Sequence, residues 1–396
     1  MNDAYELIIV GGGAMGLSGA YNAVTPYGDH PVLAGNQVLL LEQFDFFNQR
    51  GSTAGASRQF RVQYTQDYLA SLAVAAETDW SLLQQQTVEP LVPRSGSLWF
   101  GDPSIPTQEG GIKPAMQTMD ELGIPYTALN TTEIEDRYGF RALPSDYIGF
   151  IQPAGGIINI PATLRTLFNV AHDRGVDLRA RQQVLNIAAN GDEVVVTTSD
   201  GTYRARKLII TPGPFANEVL CHLGITLRLE IWDMVSAYFR KRTPNVNYPA
   251  WFAFQPQTAA NSNLYYGFPE ADWVHQGYIR VAPDYPFRII REPQDRRQPN
   301  AADFDGTIEW VAKHMPGLDP EPEFKSTCLI ALPNGGKELI LDFAPGQKNI
   351  VIYTGGWAAK FIPLIGKICV QMALTGQTSY NIAPFSIGRP GSLLLP

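Results

Sequence analysis

Short, continuous apolar runs broken by glycine-rich turns dominate the start of this chain. Tyr5-Glu6-Leu7-Ile8-Ile9-Val10 has the pattern of a strand buried on both faces of a parallel sheet. Gly11-Gly12-Gly13-Ala14-Met15-Gly16 follows at once, and the small and apolar residues from Leu17 to Val24 predict a helix packed on that sheet. A second apolar run, Val38 to Leu41, predicts the next strand and ends at Glu42 and Gln43. Between helix and strand, Thr25 to Asn36 carries Pro26, Gly28, Pro31 and Gly35, which predicts an inserted surface loop.

The pattern returns twice. Val184 to Thr198 reads as a second Rossmann-like segment, with Val194 to Thr198 as a strand and Asp200-Gly201 as a hairpin turn. Tyr203 to Ile210 continues as strand, and its buried end runs into a glycine turn at Gly213. Near the C-terminus, Asn349 to Tyr353 predicts another buried strand. Thr354-Gly355-Gly356 follows, and then a helix from about Pro363 to Leu374, with proline in its first turn where it is tolerated. In between, Trp251 to Phe254 and Leu264 to Phe268 are aromatic-rich, as in an antiparallel sheet.

The fold class expected is therefore α/β: a Rossmann-like nucleotide domain with an antiparallel-sheet α+β substrate domain threaded through it. Residues 1–80, 150–225 and 325–396 are assigned to the first, 81–149 and 226–324 to the second. The 396 residues exceed what one core usually supports, in keeping with two domains.

The order strand, glycine turn, helix, strand, acid has a physical logic. Gly11 permits the tight turn, Gly13 lets backbone approach a pyrophosphate, and Gly16 lets the helix sit close to the strand. Ala14 and Met15 belong to the same turn, and the free N–H groups and positive dipole end of the following helix face the phosphates. Glu42 accepts hydrogen bonds from ribose hydroxyls. It lies about thirty residues after Gly11, where about 20 is usual; the loop insertion accounts for the excess. A dinucleotide is expected, but this motif alone leaves FAD and NAD both open.

Composition narrows the class by exclusion. The net charge of −8 opposes nucleic-acid binding, which needs a basic footprint. The longest apolar stretch, Phe361 to Leu374, is interrupted by Lys367, so no membrane span is expected. The first strand begins too early for a signal peptide. Cys221, Cys328 and Cys369 show no metal-ligand or disulfide spacing, which suits a reducing cytoplasm and no metal.

Longer strings carry a family resemblance. They are Phe46-Phe47-Asn48, Gly55 to Arg61 with Gln63-Tyr64-Thr65-Gln66, Gly96 to Asp102, Trp251 to Gln255, Ser326-Thr327-Cys328-Leu329 and Gly356-Trp357-Ala358-Ala359-Lys360-Phe361. Over nearly its whole length the chain resembles the monomeric sarcosine oxidase family of covalent flavoprotein amine oxidases. It is most similar to the branch that oxidises piperideine-2-carboxylate to picolinate in nikkomycin biosynthesis. The resemblance implies FAD joined by its 8α carbon to Cys328, although a buried structural thiol is the commoner fate of a cysteine. It implies further flavin contacts from Ser57, Arg58, Val184, Gly213, Gly355 and Gly356. Arg58 could equally brace loop carbonyls.

It also implies that Arg61 and Lys360 hold a substrate carboxylate, one as a planar fork and one as a point charge. Most arginines and lysines are surface charges, but Lys360 stands between a Gly-Gly turn and an apolar helix. Trp357, where sarcosine oxidases carry histidine, offers a flat face to a planar ring; a core tryptophan is the plainer alternative. Glu109, Tyr266 and Asp284 align with active-site groups, though solvated or structural roles are commoner for such residues. Arg280 falls where the family has an oxygen-activating lysine. It keeps the charge but cannot lose a proton.

The reaction so implied moves a hydride equivalent to the flavin and then makes hydrogen peroxide from oxygen; a small amino or imino acid is the partner and a monomer the assembly. Four rivals stand beside it: a dehydrogenase passing electrons to a protein acceptor, an N-methyl amino acid or glycine oxidase, a non-catalytic FAD-binding protein, and an NAD-dependent reductase. The C-terminal return to the nucleotide fold disfavours the last.

Overall fold

A computed structural model describes residues 4–28, 30–257, 263–333 and 339–393. Two large sheets organise it. The first has Ala4–Val10 at its centre, parallel to Val38–Leu41 on one side and to Thr202–Ile210 on the other. Asp177–Arg179 extends one flank and Ile350–Thr354 the other, both parallel; Ile340–Phe343 closes the second flank antiparallel. Val38–Leu41 is wholly apolar and buried, and Ala4–Val10 and Ile350–Thr354 are nearly so, the pattern of strands covered on both faces.

Register fixes the site. Val10 is opposite Leu41 and Ile210, so Gly11, Glu42 and Thr211 emerge together at the carboxyl ends of parallel strands, where ligands of open α/β sheets bind. The helix Ala14–Val24 starts straight from the turn, three residues earlier than its apolar pattern suggested. A Cβ on Gly16 would lie 1.8 Å from the Gly11 carbonyl oxygen. The C-terminal helix Ile362–Thr375 packs on this first helix. A Cβ on Gly366 would meet Ser18 at 2.2 Å, and the Ser18 hydroxyl donates to the Ile362 carbonyl at 2.6 Å.

Among the described residues the second sheet has nine strands, mostly antiparallel, including Ser97–Gly101, Ala250–Phe254, Leu264–Gly267 and Tyr278–Pro283. Its longest pair is Leu229–Lys241 with Leu318–Pro333. A short ribbon, Ser57–Phe60 with Gly156–Asn159, carries the chain between the sheets.

Three expectations need correction. Val184–Asn190 and Glu193–Thr198 do not form a second Rossmann-like unit; they are antiparallel strands appended to Thr202–Ile210, because tight turns join them and no crossover helix intervenes. The insertion after Val24 is not simply a surface loop. Thr25 and His30 are buried, and the His30 ring is tied to the Asn22 carbonyl at 2.9 Å. The position drawn between domains at 325 falls inside the strand Leu318–Pro333, so Ser326 to Pro333 run in the second sheet.

Candidate active site

A cavity lies between the carboxyl ends of the first sheet and the strands of the second. Gly11, Gly13, Ala14 and Met15 line one end, with Glu42 and Gln43 beside them. Gly11 has φ +103°, and a Cβ there would lie 2.4 Å from the Thr211 carbonyl oxygen, so the turn requires glycine. Glu42 is buried. Its carboxylate accepts the Gly12 N–H at 2.7 Å and the Phe44 N–H at 2.8 Å, and burial raises its pKa despite these bonds. The Ala14 N–H points to the Thr53 hydroxyl at 3.2 Å. A free helix N-terminus, a glycine turn and a buried acid fit the pyrophosphate and ribose of a dinucleotide.

Val184, Gly213 (φ +59°), Gly355 and Gly356 also line the cavity. Gly355 has φ +149°, and a Cβ on Gly356 would sit 1.9 Å from Ile330. Trp357 follows with φ +52°, a region that non-glycine residues occupy rarely and mostly at functional sites. Its ring meets Trp232 edge to face, centroids 5.4 Å apart.

Of the three cysteines, Cys328 lines the cavity, packed with Ala54, Trp232 and Met234. Cys369 lies in the core, its thiol pushed up to about 12 by burial, and Cys221 is exposed.

Arg61 and Lys360 reach the same cavity from different elements and are buried, 2% and 4% exposed. Arg61 leaves the end of the Ser57–Phe60 strand; Lys360 sits in the short 3-10 turn before the C-terminal helix. The Arg61 guanidinium forms an ion pair with Glu109 and lies over the rings of Tyr64, Trp99 and Phe252 at 4.6–5.2 Å. Burial opposes its charge, but Glu109, with Tyr64 and Asp284, outweighs it and raises its pKa. The Lys360 ammonium is 5.1 Å from the Tyr64 ring, and its carbonyl accepts from the Trp80 indole at 2.7 Å. Glu109 is presented by a tight turn in which Thr107 and Gly110 exchange backbone bonds. A second cavity, lined by Gln66, Leu69, Gln108, Asn263 and Phe361, adjoins the first and shares Arg61, Glu109, Trp357 and Lys360 with it.

Tyr266, Asp284 and Arg280 complete the wall. Tyr266 stacks on Phe252 at 5.4 Å, and burial raises its pKa. Arg280 donates to the Ser57 carbonyl at 2.8 Å and the Ser236 hydroxyl at 2.9 Å. Ser57 thus stands behind Arg280 and does not line the cavity; Gly16 lies beneath the turn. Arg58 lines the cavity and also braces the carbonyls of Ser52, Ala54 and Ser57. Sequence reasoning missed Phe44, Asn48, Thr53, Phe252 and Thr211 as cavity residues. Thr211, directly after a buried strand, and Phe252, alternating with Trp251, carried usable signals; Thr53 and Phe44 sit in irregular backbone and carried none.

A family model described as FAD dependent oxidoreductase matches residues 6–372. The chain belongs to this family and is an FAD-dependent amine oxidase. It is 36% identical to a solved structure described as "NikD, an unusual amino acid oxidase essential for nikkomycin biosynthesis", with a TM-score of 0.89 and coverage of 100% of this chain and 99% of that one. It is 28% identical to human peroxisomal sarcosine oxidase over 99% of this chain and 97% of that protein. It is also 34% identical to a putative bifunctional amine oxidase of Dictyostelium discoideum; there it is matched over its full length but spans 38% of the relative. Among the described residues no cluster suited to a metal ion occurs, and no helix is long and apolar enough to cross a membrane.

Proposed function

We propose that this enzyme oxidises a secondary amine or cyclic imino acid bearing a carboxylate, of the piperideine-2-carboxylate type, with FAD tethered through Cys328. The observation that carries the reading is the convergence of buried Arg61 and Lys360 on the cavity that Trp357 and Cys328 also line. Two buried cations facing one cavity suit an anionic substrate, and a planar fork beside a point charge suits a carboxylate. Glu109 holds the Arg61 fork in place, so the substrate meets a guanidinium already oriented. Trp357 gives a planar unsaturated ring a flat surface. The helix Ile362–Thr375 begins at the cavity wall, and its positive dipole end favours negative charge there. FAD, when bound, supplies the two-electron acceptor and passes the electrons to oxygen. The likeness to NikD supports a role in secondary metabolism.

Acid precipitation of the purified protein tests the tether. A yellow pellet whose flavin stays on the Cys328 peptide is expected, and free flavin in the supernatant overturns it. A panel of piperideine-2-carboxylate, sarcosine, glycine and N-methyl amino acids with a peroxide readout tests the substrate. Preference for sarcosine or glycine over the cyclic imino acid overturns that part alone.

A further inference from the structure

Cys328 sits on an edge strand whose other face is held by one arginine. Leu318–Pro333 pairs with Leu229–Lys241 and, among the described residues, with no other strand. Side chains alternate between the faces of a strand. Cys328, opposite Met234, turns to the cavity face. Thr327, and Leu329 opposite Asp233, turn to the other face. There Arg296, just beyond the short turn Pro293–Asp295, makes three contacts. One Nη donates to the Thr327 hydroxyl, the other donates to the Gln49 carbonyl at 2.9 Å, and Nε faces the Asp233 carboxylate at 3.8 Å.

Each contact holds a different element. Thr327 is the neighbour of Cys328. Gln49 belongs to the loop whose Gly51, Ser52 and Thr53 line the cavity, and its side chain stiffens that loop by accepting the Gly55 N–H at 2.7 Å. Asp233, on the partner strand, has a side chain with no exposure to water. Burial pushes the Asp233 pKa up, and Arg296 offsets this first, ahead of Arg297 and Arg288, which favours keeping its guanidinium inside. Only a planar, many-donor group reaches all three at once; an ammonium does not.

We propose that Arg296 is a positioning residue for covalent attachment of the flavin: it clamps the Cys328 strand to the loop 49–55 and so holds the thiol against the edge of the bound ring. The inference rests on the reading of Cys328 as the attachment point. Attachment forms the bond between Sγ and the flavin 8α carbon. The thiol proton and one 8α proton leave their atoms, two electrons pass to the ring, and dioxygen takes up the electron pair with two protons as hydrogen peroxide. Arg296 touches none of the reacting atoms.

The test compares holoprotein harvested at successive times after induction. In each sample the flavin retained in the acid pellet is divided by the flavin released. Arg296→Ala is expected to lower this ratio about tenfold, since small misplacements of a reacting group cost at least that much, while total flavin per chain stays at the wild-type level. Arg296→Lys recovers part of the ratio. Thr327→Val, which removes one contact and keeps shape and charge, gives an intermediate fall and decides the matter if Arg296→Ala folds poorly. Wild-type ratios at full flavin loading in Thr327→Val and in whichever Arg296 variant folds overturn the proposal. Released flavin in the wild type overturns the Cys328 reading, and the role of Arg296 with it.

Discussion

The Arg61 guanidinium and the Glu109 carboxylate meet with 2% and 1% of their side chains exposed, in a wall otherwise built from Tyr64, Trp99 and Phe252. Removing one member leaves the other charge short of its main compensation, at a cost of roughly 3–5 kcal/mol. Arg61→Ala should therefore lower the thermal midpoint. It should also raise KM for a carboxylate substrate by about ten- to a hundredfold, the worth of one or two charged hydrogen bonds. Arg61→Lys should recover stability better than KM. An amine without a carboxylate should be turned over no worse by Arg61→Lys than by the wild type; an equal loss on both substrates counts against carboxylate binding.

Trp357 combines a left-handed backbone with an edge-to-face contact to Trp232. Trp357→Phe keeps an aromatic surface of smaller area. It should weaken binding of a planar aromatic acid by about 0.5–1.5 kcal/mol and leave a saturated N-methyl amino acid almost unaffected. Titration of the flavin absorbance with both ligands reads the difference; equal weakening would place Trp357 in a packing role only.

Gly16 has no room for a methyl group, since its Cβ would overlap the Gly11 carbonyl. Gly16→Ala must push the first helix away from the turn, at a cost of about 1–3 kcal/mol. Loss of flavin per chain should exceed the loss of folded protein if the displaced helix terminus is the phosphate seat proposed for it. Full flavin content with an unchanged thermal midpoint would show that the turn does not hold the cofactor.

Acid should loosen the second sheet through Glu270. The Lys241 ammonium at 2.8 Å holds the Glu270 carboxyl below its ordinary range, and the Gly277 N–H assists. A depressed folded value means that this stability is complete above the unfolded pKa, about 4.3, and fades as pH falls through the folded one. The pair is partly exposed, so about 1 kcal/mol or less is at stake. The difference in urea midpoint between wild type and Glu270→Gln should be present at neutral pH and vanish in acid. A difference independent of pH would rule the pair out as its source.

The nucleotide half was legible because its signals are local. Apolar runs at Tyr5 to Val10, Val38 to Leu41 and Asn349 to Tyr353 became buried strands within a residue or so, and Gly11 occupies a conformation that other residues avoid. Long-range pairing was not legible. Leu318–Pro333 is polar at one end and apolar at the other, while Leu229–Lys241 sets Glu230, Asp233 and Ser236 among apolar residues, so neither period nor composition announces their partnership. The helix Asp67–Gln84 went unread, since its buried stripe is mostly alanine and leucine set among polar residues. The resemblance named Arg61 and Glu109 separately, and only coordinates bring them into contact. It gave no hint of Arg296, which acts from the far side of a strand.

The bond between Ser18 and Ile362 spans 344 residues. The first helix, whose start lines the cavity, is thus braced by a segment translated long after it. A nascent chain exposes the glycine turn early but still lacks the helix that props it. A chain cut before Ile350 loses this brace and should hold flavin more weakly than the intact one.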